Sequence, residues 1–67
     1  MVTREIIIES INSLFPHSGI DFANSDHFDL VELMMLLEKD YNILFDVDDL
    51  LNINNLDDLV SCINKKL

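Results

Sequence analysis

The fold of this chain is decided by residues 26–41, DHFDLVELMMLLEKDY. Apolar residues recur there every three or four positions, which predicts a helix that Ser25 or Asp26 can cap. One apolar stripe follows the spacing i, i+3, i+7 and i+11 and is assigned to the core. It consists of Leu30, Leu33, Leu37 and Tyr41, with Met34 and Leu36 beside it.

The same helix carries more apolar residues than one buried stripe requires. Phe28, Val31 and Met35, at i, i+3 and i+7, form a second stripe, and Asp29 and Glu32 flank it. A small bundle has little surface left to cover a second stripe, so we expect a helix-docking surface there. The alternative is that the three residues pack beneath the loop of residues 16–25.

Three further segments have helical spacing. They cover residues 3–15, 46–51 and 56–67, and they are joined by a loop over residues 16–25 and a connector with apolar anchors over residues 42–45. A single Gly and a single Pro in the chain favour a few helices over many short strands. The sequence therefore predicts one all-α domain, residues 1–67, built as a small three- to four-helix bundle.

Caps and inner stripes can be assigned to these segments. Thr3, Asp46 and Asn55 are suited to cap helix starts, and Pro16 stops the first helix. The inner stripe of the first helix is Ile7, Ile11, Leu14 and Phe15, widened by Ile8, and that of the last is Leu56, Leu59, Val60 and Ile63. Cys62 lies within the last segment, where we interpret it as a small core hydrophobe.

Composition limits the possible partners. The 67 residues include 13 acidic and only 4 basic side chains, for a net charge of −9. Such a field repels nucleic acid and anionic membranes and attracts a basic patch on a protein. The apolar run Ile6-Ile7-Ile8 is too short for a signal or membrane segment, and a cytoplasmic protein is expected.

Residues 26–33 resemble the Asp-Ser-Leu-(Asp/Glu)-x-Val-Glu-Leu signature of acyl carrier proteins. The resemblance continues to about Ile63, through the acidic turn after Phe45 and the Asn-Leu-Asp-Asp-Leu-Val start of the last helix. In that family the serine carries a 4′-phosphopantetheine arm whose thiol holds the acyl cargo. Here His27 occupies the serine's position. The resemblance thus implies an acyl-carrier-like domain of a fatty-acid, polyketide or nonribosomal-peptide system with no cofactor expected.

His27 admits three interpretations, because an imidazole lacks the oxygen that the phosphodiester to phosphopantetheine requires. In the first, the domain has lost its cargo and kept only the docking face of the second helix, as a structural, regulatory or decoy partner of carrier-handling enzymes. Alternatively, attachment has moved to Ser25. In the third interpretation, histidine was introduced to fix an unmodified state.

The resemblance also implies the partners, which are carrier-handling synthases and transferases with basic docking patches. The residues that would meet them are Asp26, Phe28, Asp29, Val31, Glu32 and Met35. A monomer or a weak dimer is expected, since an exposed apolar stripe also suits a dimer interface. The competing interpretation is a small acidic interaction or inhibitor module unrelated to acyl transfer.

Neither an enzyme nor a metal site is predicted. Ser25 and His27 are too close along the chain to be assumed a catalytic pair. His17, His27 and Cys62 lack zinc spacing and a fourth ligand. Residues 46–52 superficially resemble a calcium loop but have leucine where that loop requires glycine.

Overall fold

Four helices make up the part of the chain that the computed structural model describes, residues 1–17 and 27–67. They are α1 (Arg4–Leu14), α2 (His27–Tyr41), α3 (Val47–Asn52) and α4 (Leu56–Lys66). The predicted all-α small bundle is confirmed, with α3 as the one short helix. Within the described ranges, no helix has the length and apolar character needed to span a bilayer. Residues 18–26 lie outside the described residues, and they include most of the predicted loop of residues 16–25 and the proposed caps Ser25 and Asp26.

Side-chain caps fix the starts of three helices, as predicted. Thr3, Asp46 and Asn55 each accept a hydrogen bond from a backbone N–H in the following turn, at 3.4, 2.8 and 2.8 Å. These bonds satisfy N–H groups that have no partner within the helix. The helices begin at the residue after each cap, so the first helix starts one position later than its predicted segment.

The core lies where α1, α2 and α4 meet. Its buried members are Val2, Ile7, Ile11, Leu30, Leu33, Met34, Leu37, Ile43, Ile53, Leu59 and Ile63. The predicted inner stripes supply most of them, while Tyr41, Leu14, Phe15, Leu56, Val60 and Cys62 are partly buried against this cluster. Ile8 does not widen the α1 stripe and is exposed. Successive helical residues differ by about 100° in direction, which turns Ile8 away when Ile7 faces the core.

Two hydrogen bonds that the sequence did not predict join the N-terminal residues to α4. The backbone N–H of Val2 donates to Oδ1 of Asn64 at 2.8 Å, and Nδ2 of Asn64 donates to the carbonyl of Val2 at 3.1 Å. The amide of Asn64 thereby satisfies both polar groups of a residue whose side chain is buried in the core. Nearby, Arg4 forms an ion pair with Asp57 at the start of α4. The N-terminal residues are thus anchored to α4.

Candidate functional site

The outward face of α2 exposes two apolar side chains of the predicted docking stripe. Val31 is 37% exposed and Met35, one turn further on, is 63% exposed. Glu32 is exposed beside them and Asp29 is half-buried. Four of the six predicted partner-binding residues therefore lie in the described part of this helix. Asp26 and the side chains of His27 and Phe28 lie outside it.

An apolar groove between α2 and α3 extends this face. Its volume is about 370 Å3, and the residues lining it are Val31, Met34, Met35, Glu38, Phe45, Asp46, Val47 and Leu50. Val47, the first residue of α3, is 70% exposed. Val31 and Met35 belong to the predicted docking stripe, whereas the groove itself and the wall formed by the connector and α3 were not predicted.

The connector is held against α2 by Glu38. Its backbone carbonyl accepts from the N–H of Ile43 at 3.2 Å, and its carboxylate accepts from the N–H of Phe45 at 2.8 Å. Asn42, between the end of α2 and Ile43, has a φ of 55°. This is the left-handed conformation that ends many helices and that Asn tolerates better than most residues. Glu38 and Asn42 together set the path by which Phe45 reaches the groove.

None of the residues of α3 is fully buried, although Leu50 packs partly buried against the core cluster. Polar contacts add to this packing. Asp46 and Asp49 form a reciprocal capping box, with the N–H of Asp46 donating to Oδ2 of Asp49 at 3.0 Å. Nζ of Lys66 donates to the same carboxylate oxygen at 2.9 Å. Lys66 also lies over the ring of Phe45, 5.7 Å from its centroid. The end of α4 thus ties both α3 and the connector to the bundle.

The pKa values of this polar cluster respond to those contacts. The hydrogen bond from Lys66 holds the pKa of Asp49 below its ordinary value, and the N–H of Asp46 acts in the same direction. The partnership with Asp49 raises the pKa of Lys66. Burial raises the pKa of Cys62, and the Asp49 carboxylate adds to that effect. A thiol with a raised pKa holds its proton and is a poor nucleophile at neutral pH.

The groove is bordered by negative charge. Glu38 and Asp46 line it, while the exposed Glu32 and Asp48 directly follow its apolar residues Val31 and Val47 in the sequence. Among the described lining residues none is basic. Chemically, the arrangement offers an apolar contact area with acidic edges, and residues 1–17 and 27–67 contain no group of three side chains able to hold a metal ion.

Comparison with known proteins gives no relative for this chain, because neither family models, nor curated proteins, nor solved structures match it. The likeness to acyl carrier proteins therefore stays a prediction from residues 26–63. The α3 wall that the prediction missed had one sequence signal. Val47, of a residue type that is usually buried, stands between two aspartates, of a type that is usually exposed, at the start of a predicted helix.

Proposed function

We propose that this chain is an acyl-carrier-like docking domain of the cytoplasm that binds carrier-handling enzymes through the outer face of α2 without carrying a prosthetic group at residue 27. The resemblance of residues 26–63 to carrier proteins supplies the class of partner. The short α3 after a longer α2 agrees with the fold that this resemblance implies.

The observation that carries the proposal is the division of apolar residues on α2. Leu30, Leu33 and Leu37 are buried, while Val31 and Met35 on the same helix are exposed beside Glu32. Exposed apolar side chains next to an acidic side chain suit a partner that provides apolar side chains and basic residues. Long-range attraction by the net charge of −9 supports the same class of partner.

The proposed absence of cargo follows from chemistry at residue 27. Phosphopantetheine transfer joins a phosphate to a serine oxygen, and an imidazole has none. We expect an unchanged intact mass after incubation with coenzyme A and a broad-specificity phosphopantetheinyl transferase, with an ordinary carrier protein modified in the same tube. A gain of one phosphopantetheine that Ser25→Ala abolishes would instead establish a working carrier with a relocated site.

Docking is tested by reversing a single charge on the α2 face. At low salt, Glu32→Lys should weaken binding to a ketosynthase or a phosphopantetheinyl transferase by about tenfold, equivalent to about 1.4 kcal/mol. Glu9→Lys is the matched control, because Glu9 is an exposed acid on α1 and the change in net charge is the same. Isothermal titration calorimetry measures the dissociation constant of each variant and its dependence on added salt.

Three results separate the alternatives. A selective loss with Glu32→Lys supports docking through α2. An equal loss with both variants would mean that only net charge matters, which contradicts a defined docking face. No binding to either enzyme, under conditions where an ordinary carrier binds, would favour the acidic interaction or inhibitor module.

A further inference from the structure

The groove between α2 and α3 presents apolar side chains from both helices. Met35 contributes an exposed, flexible and polarizable side chain from α2, and Val47 and Leu50 contribute from α3. Methionine adapts its shape to different apolar partners, which suits a contact surface more than a rigid core. The groove volume of about 370 Å3 can receive several apolar side chains from another molecule.

The polar surroundings of this groove specify the charge of what it receives. Glu38 and Asp46 stand in the lining, and Glu32 and Asp48 are exposed at positions adjacent to it in sequence. Lys66 is paired with Asp49 and is not among the described lining residues. Basic side chains at the edges of an incoming apolar surface would therefore find carboxylates on both sides.

We propose that the groove between α2 and α3 receives one basic amphipathic helix of a partner protein, whose apolar face contacts Met35 on one wall and Val47 on the other. The inference rests on the proposed function in taking the outer face of α2 as the docking surface. It adds α3 as the second wall and defines the partner's chemistry. The predicted binding unit has apolar residues at helical spacing flanked by Lys or Arg.

Other occupants fit the groove less well. A second copy of this chain would bring another net charge of −9 to an acidic rim, and the two copies would repel. An anionic amphiphile such as a fatty acid would place its carboxylate near Glu38 and Asp46. A helix with cationic edges pairs with the same carboxylates while its apolar face fills the groove.

The test uses the whole chain and a synthetic peptide of 18 residues. The probe contains only Leu and Lys, with leucines at i, i+3, i+4 and i+7 so that they share one helical face. One control peptide replaces every Lys with Glu, and a second has the same composition with the leucines scattered. We expect the Leu/Lys amphipathic peptide alone to bind, with an affinity that falls as salt rises.

Single substitutions locate the bound peptide. Met35→Ser and Val47→Ser should each weaken binding about tenfold, since each removes an apolar contact from one wall. Leu44→Ser is the matched control, because Leu44 is 79% exposed yet is not among the described lining residues. Circular dichroism and thermal unfolding confirm that each variant is folded, as substitutions at exposed sites should leave the fold intact.

Each outcome decides between the two proposals. Loss with Met35→Ser and Val47→Ser, but not with Leu44→Ser, supports the two-walled groove. Loss with Met35→Ser alone overturns the α3 wall and leaves docking through α2 standing. Equal binding of the Leu/Glu peptide, unchanged binding in both groove variants, or no binding at all overturns the inference. Peptide binding in the groove without binding to carrier-handling enzymes overturns the proposed function alone.

Discussion

Helix α2 carries leucines toward the interior of the bundle and a valine and a methionine toward the outside. Leu33 and Leu37 are fully buried, whereas Met35, between them in sequence, is 63% exposed. Burial of a large aliphatic side chain contributes about 1.5–3 kcal/mol to folding, and an exposed one contributes little. The inner side of α2 therefore stabilises the fold, and the outer side is free to serve another purpose.

This division means that stability and binding should respond to different substitutions. A residue of the inner stripe sets whether the bundle forms. A residue of the outer stripe sets what the bundle contacts. The following changes test how completely the two roles are separated.

The largest expected effect is on folding, from Leu37→Ala. Loss of a fully buried leucine removes its burial energy and leaves a cavity, which together destabilise by about 2–5 kcal/mol. Met35→Ala should change the free energy of unfolding by less than about 0.5 kcal/mol, since the side chain is largely in solvent. Urea denaturation followed by circular dichroism measures both.

A domain of this size rarely has more than about 3–5 kcal/mol of stability, so Leu37→Ala can be unfolded without denaturant. Leu37→Met then provides a measurable variant, with an expected loss below about 1.5 kcal/mol. A loss of about 2 kcal/mol or more for Met35→Ala, or of less than about 0.5 kcal/mol for Leu37→Ala, would show that the two sides of α2 are not divided between folding and docking.

Much of the inner side was predictable because its signals are local. The spacing of Leu30, Leu33 and Leu37 requires only a helical period, and the caps Thr3, Asp46 and Asn55 act within one turn. Such patterns fix which face of a helix is apolar before the position of any other helix is known. The fold class and the α2 part of the candidate site followed from them.

The features that were not predicted depend on contacts between residues far apart in the sequence. Such contacts leave no periodic pattern from which they could be predicted. Asn64 binds the backbone of Val2, 62 positions earlier. Lys66 of α4 pairs with Asp49 and thereby helps to hold α3, the second groove wall, against the bundle. The prediction for Ile8 was wrong for a local reason, since Ile8 lies about 100° around α1 from the buried Ile7.

A smaller loss of stability is expected from changes at Asn42, which directly follows α2 and begins the connector to the groove. Its φ of 55° ends the helix and directs the connector toward the groove. Asn42→Ala should destabilise by about 1 kcal/mol, because a Cβ without a polar group disfavours the left-handed conformation. Asn42→Gly is the matched control and should equal or exceed the original stability. Equal stability of the Ala variant in urea denaturation would contradict this account of the turn.

The smallest effect is expected at Asp49, whose ion pair with Lys66 holds the outer wall and not the core. Since the pKa of Asp49 is lowered in the folded chain, its contribution to stability is present above the ordinary carboxyl pKa and is lost as pH falls through the lowered value. Asp49→Asn keeps an oxygen for the capping hydrogen bond but removes the charge. The difference in melting temperature between the two proteins should be largest near neutral pH and shrink below about pH 4.

Hydrogen exchange shows where this ion pair acts. At neutral pH, Asp49→Asn should speed exchange at the backbone amide of Leu50, in α3, while the amide of Leu37 in α2 keeps its protection. The reason is that α3 has no buried residue and can open without unfolding the bundle. Equal acceleration at both amides would mean that α3 and the core open as one unit. The groove wall and the core would then not be independent in stability.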